Sequence, residues 1–137
     1  MPGAAAAVQA AHAATHGRIA CASGADRSKV ELQLRKVGLW DWFEGSIFSG
    51  HELPASKPAP DVYLAAAAHL QRAPERCLVI EDTPVGVTAG KAAGATVWAL
   101  CPEGDTAAQN ALRAHGADAL FHSMADLPQL LALPKQP

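Results

Sequence analysis

A hydroxyl, an ammonium group and a pair of adjacent carboxylates each stand at or just beyond a short apolar run of this sequence. Ser23-Gly24 follows the run 19–22, Lys57 lies between Ser56 and Pro58 in the long stretch after Ile47-Phe48, and Glu81-Asp82 follows the run 77–80 and precedes Thr83-Pro84. A hydroxyl, a lysine and the free N–H groups of a helix start are what the oxygens of a phosphoryl group need around them. Mg²⁺ takes its oxygen ligands from one or two carboxylates and the rest from water and phosphate. Ser23 and Lys57 are therefore the candidate catalytic residues, Ser23, Gly24 and Lys57 the candidate phosphate-binding residues, and Asp82 with Glu81 the candidate metal ligands. The chemistry they suggest is metal-assisted phosphoryl transfer.

Each of these residues alone has a plainer role. Ser23 suits a helix cap, Lys57 a solvated loop, and Glu81-Asp82 the acidic side of a helix start. The weight rests on their occurring in this order. His12, His16, His51, His69, His115 and His122 show no ligand spacing and are expected on the surface. Cys21, Cys77 and Cys101 lie far apart in apolar runs, with no neighbouring base, and read as buried reduced thiols.

Something must hold these groups on one rim. The runs 19–22, 46–48, 77–80, 96–100 and 119–121 are continuously apolar, the pattern of parallel strands covered on both faces. Helical patterns separate them. Ser28 and Glu31 suggest a capping box, with Gly38 just past that helix; Pro60 suits a first helical position ahead of Val62, Ala66 and Leu70 on one face. Thr83-Pro84 reads as N-cap and first residue of a helix closed by Gly94. Asp105 or Thr106 opens a helix ending before Gly116, and Ser123 opens the last, with Leu127, Leu130 and Leu131 ahead of Pro134. Trp40, Trp42 and Phe43 are expected to plug the core under a loop. The alternation gives an α/β fold with a Rossmann-like parallel sheet flanked by helices, whose ligands gather at the carboxyl ends of the strands.

The chain has 137 residues, 50% hydrophobic and 18% charged, which suits one globular domain. We assign residues 1–133 to it and expect 134–137 to form a frayed tail. A net charge of −2 with no basic cluster argues against nucleic acid as a partner. No stretch reaches the ~20 apolar residues of a membrane span, and the Ala-rich start lacks a basic lead-in, so a cytoplasmic location is expected.

These stretches resemble the haloacid dehalogenase (HAD)-like hydrolase superfamily, in its β-phosphoglucomutase and phosphoglycolate phosphatase-like branch. The residues that carry the likeness are Ile19 to Ser23, Ser56-Lys57-Pro58-Ala59-Pro60-Asp61-Val62-Tyr63, and Val79 to Val87 running on to Ala92-Ala93-Gly94. Pro2-Gly3 is similar to the family's lead-in to its second-motif strand, and the likeness spans about residues 2–132. It implies that Ser23 bonds a substrate phosphate oxygen and that Lys57 bridges this phosphate and a nucleophilic carboxylate. It further implies that Asp82 binds Mg²⁺, with Glu81 a further or water-mediated ligand. The implied activity is phosphatase or phosphomutase chemistry on a small phosphorylated metabolite, through an aspartyl-phosphate.

One departure is large. The family's first motif, Asp-x-Asp at the end of its first strand, occurs nowhere in these 137 residues, and the helical cap that follows that strand is absent too. The resemblance therefore covers the C-terminal part of the core domain, a fragment expected to be inactive alone. In the family that first strand lies between those ending at Ser23 and at Glu81. Its absence implies a gap of about two strand spacings, roughly 9–10 Å, edged by unpaired N–H and C=O groups. Three outcomes follow: the halves close up, a partner strand or self-association fills the gap, or the chain aggregates. The alternative function is a non-catalytic phosphate- or Mg²⁺-binding fragment that assembles with another polypeptide. A phosphorylation-receiver or flavodoxin-like domain shares the α/β pattern, but a receiver needs its acidic pair ahead of its lysine, and here Lys57 comes first.

Overall fold

Apolar runs and helical stretches alternate in the computed structural model as the sequence predicts. The structure describes residues 3–132; Pro2 and the tail 134–137 lie outside the described residues. The principal elements are α1 (Ala4–Ala14), β1 (Cys21–Ser23), α2 (Arg27–Lys36), α3 (Trp40–Phe43), β2 (Ile47–Ser49), α4 (Asp61–His69) and β3 (Leu78–Glu81). There follow α5 (Pro84–Ala93), β4 (Thr96–Leu100), α6 (Thr106–Ala114), β5 (Ala119–Phe121) and α7 (Leu127–Ala132). β4 and β5 have the expected bounds, whereas β1, β2 and β3 begin and end one or two residues later, so Ser23 and Glu81 are the last residues of their strands rather than the first beyond them.

All the strand pairs are parallel, and they fall into two sheets. β1 pairs with β2, aligning Ser23 with Ser49, while β3, β4 and β5 pair in that order, aligning Glu81 with Ala99. Among the described residues β1 and β3 are not paired, so the halves have not closed into one ladder. Helix α4 packs on β1, on β2 and on α5, and so spans the two halves.

Each sheet has its own apolar filling. Val79, Val97 and Ala99 point to Val87 of α5 and Leu112 of α6, whereas Ile80, Trp98 and Leu100 point to Ala7 of α1 and Leu127 of α7. Two apolar faces per strand are what a doubly covered parallel sheet requires. Val30, Leu34, Leu39 and Ile47 form a third cluster, joining α2 to the β1–β2 pair.

Helix ends follow local chemistry. Thr83 caps α5 by accepting from Gly86 N at 3.1 Å, Pro84 sits in its first turn, and Gly94 ends it at φ 95°, a left-handed value that favours glycine. Asp105 caps α6, and Ser123 accepts from Ala125 N in the short turn that leads into α7. The Ser28–Glu31 capping box does not form. Arg27 is pinned by Ile47 O at 2.7 Å and by Glu52, so the helix is already turning at Arg27, with Asp26 as its N-cap. Pro60 is likewise the N-cap of α4, and Asp61 its first residue.

Trp40, Trp42 and Phe43 form a helical turn and are only half-buried; the neighbouring Leu39 fills the core instead. Their rings serve as cover, with Arg35 4.0 Å over Trp40 and His12 edge-on to Trp42 at 5.1 Å. That stacking half-buries His12, while the other five histidines are exposed as expected. All three cysteines are free, but only Cys101 is buried. Cys77 precedes β3, and Cys21 lies in β1, which among the described residues pairs only with β2. No helix among the described residues is long and apolar enough to cross a membrane.

Candidate active site

The loop that leaves β2 carries Lys57 across to the end of β3. Ser49 Oγ anchors its start by donating to Ala25 O at 2.6 Å, and Arg27 clasps Glu52 in the next turn at 2.8 Å. A cis Lys57–Pro58 peptide follows, and α4 begins at Asp61. Lys57 Nζ then lies 2.5 Å from Glu81 Oε2, with only 16% and 7% of the two side chains exposed. This is an inward-facing ion pair between the two halves of the fold.

The Glu81 carboxylate is held from several sides. Tyr63, in the first turn of α4, donates its hydroxyl to the same Oε2, and Oε1 accepts from Asp82 N at 3.2 Å. The Tyr63 ring centroid is 5.0 Å from Lys57 Nζ, a cation–π distance. Burial, then the charge and hydrogen bond of Glu81, push the Tyr63 phenol far above its ordinary value. Cys21 adjoins this group. Burial raises its thiol, and the nearby charge of Lys57 partly opposes the rise.

The remaining candidates stand apart. Asp82 is exposed, one residue beyond the sheet, beside the Thr83 cap. Ser23 Oγ accepts from Ala25 N at 3.1 Å, which is the plainer capping role, and Gly24 is exposed. Neither Ser23 nor Gly24 hydrogen-bonds Lys57, Glu81 or Asp82 among the described residues. The structure thus joins Lys57 directly to Glu81; Asp82 meets the pair through its backbone N–H alone, and Ser23 and Gly24 make no hydrogen bond to it among the described residues. Tyr63 and Ser49 went unnoticed as site residues in the sequence. Tyr63 was visible only as part of the Lys57 motif, six positions on, where a helix beginning at Asp61 turns it back toward the lysine.

A family model for haloacid dehalogenase-like hydrolases matches residues 1–94, more than half of the chain. The chain belongs to the haloacid dehalogenase-like hydrolases. A solved structure of a HAD family hydrolase from Deinococcus radiodurans R1, with bound phosphate and sodium, is 38% identical with a TM-score of 0.83; the match covers 96% of this chain and 58% of that one. A putative beta-phosphoglucomutase from Thermotoga maritima is 26% identical with a TM-score of 0.77, covering 96% of this chain and 59% of that one. Hexitol phosphatase A of Escherichia coli K12 is 40% identical over 81 residues, 59% of this chain and 33% of that protein. The chain thus spans a little over half of these solved relatives and a third of the curated one.

As oxygen donors for a divalent cation, the candidate site offers the exposed carboxylate of Asp82 and the less encumbered Oε1 of Glu81. Two carboxylates are within what Mg²⁺ takes when water and phosphate complete its shell, so the residues fit that ion. Among the described residues no third His, Cys, Asp or Glu joins them.

Proposed function

We propose that this chain supplies the phosphate-side and metal-side groups of a phosphatase or phosphomutase acting on a small phosphorylated metabolite. The Lys57–Glu81 pair beside Asp82, at the carboxyl ends of the strands, carries the reading. Lys57 would place positive charge against the phosphoryl oxygens, and the Ser23 hydroxyl and the Gly24 turn would complete the oxygen cradle. Glu81 keeps the lysine in place when no phosphate is bound. Mg²⁺, held by Asp82 with Glu81 as a further ligand, would neutralise charge developing on the phosphoryl group. The free cysteines favour a reducing compartment, the cytoplasm, as the setting.

No Asp-x-Asp occurs in the sequence, so the attacking carboxylate of this reading must come from outside residues 1–137. Removing a covalent nucleophile costs several orders of magnitude in rate, so residues 1–137 alone are expected to be nearly inactive. Hydrolysis of an aryl phosphate with Mg²⁺ tests this. A background rate is expected, and turnover abolished by Asp82→Asn would contradict it.

The split between β1 and β3 favours a second reading. Here the chain is a phosphate- or Mg²⁺-binding piece completed by a strand from another polypeptide, or by self-association. The coding DNA around Met1 separates the two: an in-frame Asp-x-Asp segment upstream supports one longer chain, and such a segment in a separate reading frame supports assembly.

A further inference from the structure

We propose that Tyr63 is a positioning residue: its hydroxyl holds the Glu81 carboxylate in the orientation that fixes Lys57. This deepens the phosphate-binding reading, since its importance lies in where Lys57 is presented. Lysine carries a flexible four-carbon stem with many rotamers, so a lysine on a loop is not placed by its own backbone. Its partner Glu81 comes from the other sheet and has side-chain torsions of its own. What ties the two sides together is α4, which packs on β1, β2 and α5 and carries Tyr63 in its first turn.

Tyr63 packs against the apolar cluster that Val79 of β3 and Val87 of α5 belong to, so its ring is anchored independently of the ion pair. From there the hydroxyl bonds Oε2, the oxygen that also receives Lys57 Nζ at 2.5 Å, while the ring face lies 5.0 Å from the ammonium. Asp82 N fixes Oε1, and Gly86 leaves room for the carboxyl group over the helix start. Of these restraints only the phenol hydroxyl acts on the oxygen shared with Lys57. Removing it frees Glu81 to turn and lets Lys57 leave the pair more often.

The test reads Lys57 itself, so its failure is separate from failure of the phosphatase reading. The acylation rate of Lys57 in the folded chain is compared, peptide by peptide, with those of Lys29 and Lys36, exposed on α2. Tyr63→Phe keeps the ring and is expected to speed acylation of Lys57 several-fold, as loss of one hydrogen bond implies, with the reference lysines unchanged. Glu81→Gln should do at least as much, and adding Tyr63→Phe to it should change nothing further. A Tyr63→Phe rate equal to that of the unaltered chain would overturn the proposal, leaving only a packing role for the ring. An effect of Tyr63→Phe that persists on top of Glu81→Gln would also overturn it, because the hydroxyl would not be acting through Glu81.

Should Tyr63→Phe unfold the chain, all lysines would accelerate together, and the unaltered protein decides. Tyr63 is its one tyrosine, so a ¹³Cζ label reports a single phenol. A slowly exchanging hydroxyl, seen as a split ¹³Cζ line in mixed H₂O and D₂O and lost in Glu81→Gln, supports the proposal. A single averaged line in the unaltered chain refutes it.

Discussion

Gly86 lies directly beneath the Glu81 carboxyl group: a β-carbon at position 86 would fall 2.0 Å from its carboxyl carbon. The first turn of α5 is thus open at the one place where the carboxylate crosses it. Gly86→Ala gains up to about 1 kcal/mol of helix propensity. The overlap forces Glu81 aside and loosens its bonds to Lys57 and Tyr63, an overpacking cost of about 1–3 kcal/mol on top of the lost pairing. Net destabilisation is expected in urea melts. Gly24→Ala, where nothing lies within 4 Å of the added carbon, should stay within about 0.5 kcal/mol. Equal melts for the two variants would contradict this geometry.

The ion pair is too enclosed to behave as a surface contact. With Lys57 replaced by Met, Glu81 is left without its cationic partner in a site where only 7% of the side chain is exposed. That loss should cost about 2–4 kcal/mol, toward the lower end of what breaking a buried pair costs because Tyr63 still donates to the carboxylate. Glu81→Gln in the Lys57→Met background should recover part of it, since the unpaired charge is then gone. A double-mutant cycle measures the coupling; strictly additive losses would show the two residues to be independent.

High pH should weaken the fold through Tyr63. Burial, then Glu81, raise the phenol in the folded chain, whereas the unfolded chain ionises near the ordinary value of about 10. Below that value the phenol is neutral in both states and its contribution is complete. Above it only the unfolded state loses its proton, so stability falls as pH rises. Urea midpoints from about pH 9 to 11 should therefore slope downward, and Tyr63→Phe should flatten the slope. An unchanged slope in that variant would assign the alkaline loss to other groups.

What the sequence made legible was local. Thr83-Pro84 and Gly94 bound α5 because a side-chain cap, a fixed proline φ and a left-handed glycine all act within a few residues. The strands were legible because two covered faces confine polar residues to the strand ends, as at Ser23, Ser49, Glu81 and Thr96. Ser28 misled because the start of α2 is set by Arg27, whose partners Ile47 and Glu52 lie 20 and 25 positions away. Glu81 and Lys57 were each marked for an absent ligand, yet they are joined to one another across 24 positions. Tyr63, an ordinary helix residue by its spacing, gains its role only when α4 turns it toward both.

The exposed Asp82 allows the metal-side assignment to be tested without turnover. Mn²⁺ takes the same hard oxygen ligands as Mg²⁺ and broadens nearby NMR signals. Added to the labelled chain, it should broaden the amides of residues 81–86 first, and Asp82→Asn should abolish that selectivity. Because no side-chain hydrogen bond of Asp82 supports the fold among the described residues, the same variant should change stability by no more than about 0.5 kcal/mol. Glu81→Gln should do the reverse, disturbing Lys57 and the melt more than the broadening, because Lys57 and Tyr63 already occupy Oε2. Broadening that survives Asp82→Asn and vanishes in Glu81→Gln would reassign the cation to the inner carboxylate, leaving Asp82 as an acidic residue that favours the start of α5.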